Sequence, residues 1–269
     1  YLVCRKKGYP CILYNQTPLW SEPVKTDLAH RLVDRLSPKL RMTPVIGTKK
    51  QGTSIKPNDY FVPFVINPRK SPEERTYFKD DTVQILCIGK YEIRKHHLMM
   101  MEVVKNLADR YKIHLTLIGE ATTAFQKGYH QEVLVYRKEQ GIEELVTVKT
   151  NVPRSRMEEE YLRADLFVIP STREMASISQ IEAMSYSLPV ICSDSNGSAC
   201  YVEHGVTGYL FRDCDKEDLQ RQLEAMLCDR DKMKAMGAAG YRALLEKYNF
   251  DKYYDSVVQM AERIKSEKL

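Results

Sequence analysis

From Thr82 onward, short runs of β-branched and aliphatic residues alternate with stretches of helical periodicity, and that order fits a parallel sheet wrapped by helices. Val83 to Gly89, Ile113 to Gly119, Leu145 to Val148, Leu166 to Ile169, Pro189 to Cys192 and Tyr209 to Phe211 read as six strands. Between them the spacing predicts helices from Arg94 to Tyr111 and near 129–140, 154–163 and 178–187. Three amphipathic helices follow near 216–228, 231–247 and 251–266. In the first, Leu98, Met101, Val104, Leu107, Ala108 and Tyr111 recur on one face, so the Met99-Met100-Met101 run is mostly core filling. The expected fold is α/β, a Rossmann-like doubly wound parallel sheet.

Residues 1–70 are less regular. Cys11 to Tyr14 is strand-like, Thr26 to Leu36 is helical, and strands flanked by proline fall near Val45 and from Phe61 to Ile66. This stretch reads as part of another domain, joined through the proline- and charge-rich Asn67 to Asp81 as a linker.

Several classes are excluded. The longest uncharged stretches, such as Ala183 to Ser193, fall well short of the roughly 18 apolar residues a bilayer span needs. Tyr1 to Lys7 has too short and too charged an apolar part for a signal peptide. Cys4, Cys11, Cys87, Cys192, Cys200, Cys214 and Cys228 form no C-x-x-C pair and read as buried free thiols of a reducing, cytoplasmic setting. No G-x-G-x-x-G follows the first strand, which argues against a nicotinamide oxidoreductase, and no nucleophile elbow is present. Asp213-Cys214-Asp215 and Asp229-Arg230-Asp231 are D-x-D strings at helix starts, where Asp is expected as a cap, so no metal is expected.

Net charge is 41 − 36 = +5, unevenly placed: residues 1–81 carry 15 Lys+Arg and 8 Asp+Glu (+7), leaving 26 and 28 (−2) for the rest. A basic face of this kind suits an anionic substrate or a phospholipid surface. Its short runs, Arg5-Lys6-Lys7 and Lys49-Lys50, lack interleaved aromatics, so nucleic acid is not the expected partner.

In an open parallel sheet, ligands bind beyond the carboxyl ends of the strands. Gly89 and Lys90, then Arg94 and Lys95, form a basic cluster suited to phosphate, each charge-assisted hydrogen bond being worth about 1.5–3 kcal/mol. Gly119-Glu120 again places a glycine where backbone approaches a ligand. After the fourth strand, Glu174 and Glu182 are separated by seven residues. Ser177-x-x-Gln180 fits a capping box, which starts a helix at Ile178 and aims its amino end at the crevice. Glu182 then lies about 6 Å along that helix, within reach of a ribose beside a bound phosphate.

These residues carry a resemblance. Gly89-Lys90 with Lys95, Gly119-Glu120, the E-x7-E of Glu174 and Glu182, Glu182-Ala183-Met184, Leu188-Pro189-Val190-Ile191 and Glu203-His204-Gly205-Val206-Thr207-Gly208-Tyr209-Leu210 resemble the C-terminal nucleotide-sugar-binding domain of GT-B glycosyltransferases of family 4, the glycosyl transferases group 1. The likeness runs over roughly residues 80–230. It implies a donor-binding domain at 71–245, a partial acceptor-side domain at 1–70 with Tyr1 partway through it, and a final segment, 246–269, crossing back to the acceptor side. Such an incomplete enzyme would bind a donor without necessarily turning it over.

By resemblance, Lys90 and Lys95 neutralise the departing diphosphate, Glu174 binds the transferred sugar and Glu182 holds the ribose. The backbone from Met175 through Ala176 and Ser177 to Ile178 lies along sugar and phosphate, Gly89 and Gly119 admit the ligand, and the loop at Asn151-Val152 holds the base. The implied reaction is retaining transfer from a UDP- or GDP-sugar to a glycan, a lipid-linked or another acceptor, as in polysaccharide biosynthesis, with no cofactor. Peripheral contact with an anionic membrane at its inner face is the further expectation. Departures from the family are Met175-Ala176-Ser177 where glycines are usual, His96 for the glycine after the lysine, and Ser187 for the glycine before Leu188-Pro189. They motivate a second reading, a non-catalytic glycosyltransferase-like module. A basic nucleic-acid-binding domain is the third.

Overall fold

The computed structural model describes residues 2–9, 11–19, 28, 32, 40–47 and 59–267. The expected helix over 26–36 lies almost wholly outside the described residues, as do Lys49 and Lys50. A short helix α1 (Leu2–Lys6) leads into a three-stranded parallel sheet of β1 (Ile12–Tyr14), β2 (Leu40–Thr43) and β3 (Asp59–Phe61), in that order. The strands foreseen near Val45 and from Phe61 to Ile66 thus lie earlier. Val45 instead sits fully buried beyond the end of β2, its carbonyl accepting from Leu19 N at 3.2 Å.

The second unit runs β4 (Val83–Ile88), α2 (His97–Leu107), β5 (Ile113–Gly119), α3 (Ala124–Glu139), β6 (Val146–Thr150), α4 (Met157–Arg163), β7 (Leu166–Ile169), α5 (Ser179–Ser185), β8 (Val190–Ser193), β9 (Gly208–Phe211), α6 (Lys216–Leu227) and α7 (Arg230–Lys247). The chain closes with α8 (Phe250–Glu267). Its six strands pair in parallel in the order β6-β5-β4-β7-β8-β9. β7 and β8 are buried at every position, as parallel strands covered on both faces must be. Alternate residues feed two cores. Ile85, Cys87, Leu166 and Val168 join Met100, Met101, Val104 and Leu107 of α2, whereas Leu86, Phe167 and Ile169 join Tyr161, Ile181 and Met184 of α4 and α5. Each fully buried aliphatic side chain contributes about 1.5–3 kcal/mol.

Helix α2 starts at His97, three residues later than its periodicity suggests, because Ile93–Lys95 forms a 3-10 turn and His96 adopts a left-handed conformation (φ 52°). Ser187 is left-handed too (φ 58°). Both are positions where the resembling family has glycine, which fits such φ without strain. Asp215 and Asp229 each cap a helix, accepting from Asp218 N at 2.8 Å and Lys232 N at 2.9 Å. Cys87 and Cys192 are buried, but Cys214 and Cys228 are exposed, so the expectation of buried thiols fails at those two, which sit in a turn and at a helix end. No helix among the described residues is long and apolar enough to cross a membrane.

The segment read as a linker is not a free tether. Arg69 N and Lys70 N donate to Ser185 O at 2.9 and 3.0 Å, and Tyr77 Oη donates to Ser187 O. Phe78 N donates to the buried Asp165 at 2.7 Å. The guanidinium of Arg75, itself buried, donates to Tyr186 O at 2.7 Å, Tyr161 O at 3.0 Å and Ala164 O. Residues 67–81 therefore form a strap sewn onto the second unit. Composition marks this stretch as solvated, but a buried cation that satisfies three carbonyls holds it down.

The first unit docks through Tyr201, whose hydroxyl accepts from Phe64 N at 2.8 Å and donates to Pro44 O at 2.6 Å. Gly47 N donates to Gly197 O at 2.9 Å beside it. Helix α8 packs on β3, with the Arg263 guanidinium over the Tyr60 ring at 5.6 Å.

Candidate functional site

β4 and β7 are neighbours although two strands, β5 and β6, lie between them in sequence, so the strand order reverses there. A reversal of this kind opens a crevice beyond the carboxyl ends of the two strands. Residues 89–95 line it from β4 and residues 170–178 from β7.

The 3-10 turn at Ile93–Lys95 carries Lys95 inward until only 8% of the residue is exposed. Its ammonium pairs with Glu174 Oε2, and Arg94 Nη1 reaches the same oxygen at 2.9 Å. Arg94 Nε also binds Glu92 at 2.8 Å, and Thr172 N donates to Arg94 O at 2.9 Å, which ties the two crevice loops together. Burial alone would raise the Glu174 carboxyl, but the Lys95 ammonium and then the Arg94 guanidinium hold it below the ordinary carboxylate range. Gly89 packs against the Lys95 stem. A Cβ on Gly119 would lie 2.5 Å from Gly89 O, so only glycine lets these strand ends approach this closely.

Behind Glu174, residues 175–178 are fixed by a second loop. Gly197 N donates to Glu174 O at 2.7 Å, and a Cβ on Gly197 would sit 1.9 Å from Met175 O. Ser177 N donates to Ser198 Oγ at 2.9 Å, while Gln180 Oε1 accepts from Asn196 Nδ2 at 2.7 Å and Gln180 Nε2 donates to Ser198 O at 2.6 Å. The expected capping box is therefore absent. α5 begins at Ser179 with Ile178 as an N-cap that makes no side-chain bond: the 196–198 loop takes the Gln180 side chain and the Ser177 N–H, and the Ser177 hydroxyl lies 3.1 Å from Ser179 Oγ. Ala176 is half-buried, and Met175 and Ile178 are exposed.

Glu182 lies in the first turn of α5, beside a cavity of about 600 Å³. Ile88, Arg154, Tyr161 and Ile178 share that cavity with Phe64 to Ile66, just before the strap, and with Asn67 and Arg69 of the strap itself. Tyr161 Oη donates to Glu182 Oε2 at 2.9 Å, and Arg154 Nη2 lies 3.6 Å from Oε1. Neither Glu174 nor Lys95 lines this cavity, so the two glutamates head distinct parts of the site. Lys90 pairs with Glu120, its Nζ 3.4 Å from the carboxylate. Asn151 is left-handed (φ 54°), and its side chain accepts from Ala121 N at 2.9 Å. It thus braces the loop after β5, with Val152 packed against the neighbouring core.

Sequence reasoning assigned no role to Arg154, Tyr161, Asn196 or Ser198. Tyr161 carries the periodicity of a core residue, and the other three sit in turns without a pattern. Arg94 stood within the basic cluster, but its bond to Glu174 spans 80 positions and leaves no local trace. Among the described residues, no group of three or more His, Cys, Asp or Glu is placed to hold a metal.

His96 terminates this lining and carries its left-handed φ beside it, with Nε2 3.7 Å from Cys214 Sγ. A non-glycine residue in that conformation costs about 1–2 kcal/mol. His96→Gly is expected to stabilise the chain by about 1 kcal/mol, read as a rise in the denaturation midpoint, with no change in the denaturant slope.

The family model described as "Glycosyl transferases group 1" matches residues 69–243. A D-inositol 3-phosphate glycosyltransferase from Nocardia farcinica is 36% identical over 123 residues, 41% of this chain and 27% of that protein. Another of that name from Geodermatophilus obscurus is 25% identical over 238 residues, 86% of this chain and 50% of that protein. The chain spans half or less of the length of these curated relatives. Among solved structures, HepE from Anabaena in complex with UDP superposes with a TM-score of 0.76 at 15% identity, covering 98% of this chain and 74% of that one. At such low identity this is a likeness of fold.

Proposed function

The chain belongs to the glycosyl transferases group 1 family, and we propose from that premise that its second unit binds a nucleotide-diphosphate sugar and passes the sugar on to an acceptor. The carrying observation is a charge cluster at the strand-order reversal: Lys95 and Arg94, both fixed on Glu174, with Glu182 beside an adjoining cavity. Breaking a glycosyl–phosphate bond leaves negative charge on the diphosphate and positive character on the sugar. Cations already in place stabilise the former without reorganisation. Lys95 and Lys90 take that role, Glu174 faces the sugar, and Glu182 receives the ribose hydroxyls. The family pattern of E-x7-E points to retention of configuration with no metal.

HepE, a protein of the same fold, binds UDP, which favours a uridine or similar donor. The curated relatives are named for a phosphorylated acceptor, and the +7 excess over residues 1–81 suits an anionic or lipid-linked one at a membrane face.

The test is a thermal-shift titration with UDP, GDP and their sugars. A nucleotide at about 100 times its Kd should add about 2.7 kcal/mol of stability, and Glu182→Ala should abolish the shift. No shift with any of them in the parent chain contradicts the proposal.

A second reading, a binding module without turnover, is favoured by Glu174 already carrying two cations and by Met175-Ala176-Ser177 in place of the family's glycines. Slow release of nucleotide from a bound sugar donor supports the enzyme. Binding without release supports the module.

A further inference from the structure

We propose that Tyr161 is the positioning residue that aims Glu182 at a nucleotide's ribose, and that Arg75 of the strap holds Tyr161 in place. The inference rests on the donor-binding reading above and concerns how its ribose contact is set.

Two groups address the Glu182 carboxylate among the described residues, and they differ in permanence. Arg154, 3.6 Å from Oε1, has a side chain 92% exposed and free to swing away. Tyr161 donates to Oε2 at 2.9 Å from a residue only 3% exposed. Its ring stacks on Tyr186 at 5.0 Å and 8°, with Phe167 at 6.3 Å on another side. The ring, and with it the hydroxyl, is therefore held in place. Burial, and then the neighbouring Glu182 charge, push its pKa well up, so it stays protonated and donates, to Glu182 Oε2 at 2.9 Å in preference to Ser179 O at 3.4 Å.

The terminal torsion of a glutamate is broad and nearly two-fold, so an unheld carboxylate turns freely. With Oε2 occupied by Tyr161, Oε1 is the oxygen left for a hydroxyl in the cavity that Glu182, Tyr161 and Tyr186 all line. The stack is itself fixed from behind. One guanidinium, Arg75, binds the carbonyls of both stacked residues, Tyr186 at 2.7 Å and Tyr161 at 3.0 Å, and that of Ala164. A line of contacts thus runs from the strap through two tyrosines to the carboxylate.

A residue that acts only through Glu182 should be felt only by ligands that Glu182 touches. Calorimetric titrations of the full chain with UDP and with 2′,3′-dideoxy-UDP, and with the matching GDP pair, read this directly. The parent should prefer the ribose form. Tyr161→Phe should weaken UDP binding about tenfold while dideoxy-UDP binding stays within about twofold, the loss expected for one charge-assisted hydrogen bond. In a Glu182→Ala background, titrated at concentrations high enough to read its much weakened binding, the same change should have no further effect. Equal losses for both nucleotides, or an undiminished preference in Tyr161→Phe, overturn the assignment while leaving the donor site intact. Failure of the parent to bind any of the four overturns the donor reading and the assignment with it. Should Tyr161→Phe fail to fold, Arg75→Lys, which keeps the charge and loses the fork, carries the same comparison: a selective loss supports the proposal and an equal loss overturns it.

Discussion

Arg75→Met is expected to lower the melting temperature by roughly 10 °C. Burial holds the Arg75 pKa below its ordinary value, so the cation is itself costly to place there. Its three acceptors decide the balance. Without the guanidinium, Tyr161 O, Ala164 O and Tyr186 O are left in an apolar setting, each costing about 1–3 kcal/mol. After allowing for the relieved desolvation, a net loss of about 3 kcal/mol remains, and 2–4 °C per kcal/mol converts it to the expected shift. Calorimetric unfolding checks this. A change of less than about 2 °C would mean that water reaches the carbonyls and the strap is loosely held.

Lys95→Met is expected to reduce release of nucleotide from the sugar donor by about 10²–10³-fold, the usual effect of removing one preorganised charge from developing negative charge. Single-turnover measurements at saturating donor separate this from weaker binding. The same substitution has a signature in pH. The Glu174 carboxyl lies below its ordinary value of 4.5 in the folded chain, so its ion pair stabilises fully above that value. The contribution is lost as pH falls through the depressed folded value. With Lys95 gone, burial is opposed by Arg94 alone, the folded pKa rises, and acid destabilisation should begin at higher pH. An unshifted acid limb would show that Arg94 suffices to hold the carboxylate.

The sheet was largely legible because its strands are short runs rich in aliphatic and β-branched residues set between helical periodicities. Ile113–Gly119 and Leu166–Ile169 fall where the sequence puts them, and the other four strands of the larger sheet differ by a residue or two. Errors arise where a distant partner outbids a local signal. Ser177 and Gln180 have the spacing of a cap, yet the loop at Asn196 to Ser198 offers buried bonds that a solvent-facing cap cannot match. His96 looks like an ordinary helix-start residue until its φ is seen. The fastening of the linker was not legible, because nothing within its own stretch announces that Arg75 meets carbonyls 86 to 111 positions away. For the site, Lys95 and Glu174 are brought into direct contact, whereas Lys90 turns to Glu120 and Asn151 is occupied with Ala121. The glutamate pair was visible from spacing, but the tyrosine behind Glu182 was hidden in the pattern of a core helix.

The strap also bears on descent. Recombination that moves a sheet between proteins succeeds only if everything the sheet depends on moves with it, and here the carbonyls of α4 and α5 depend on a residue upstream of the first strand. The family likeness begins at residue 69, ahead of Arg75 and well before β4 at Val83. The matched stretch therefore takes in the sheet together with its fastening, and a graft cut at the first strand would leave three acceptors without a donor.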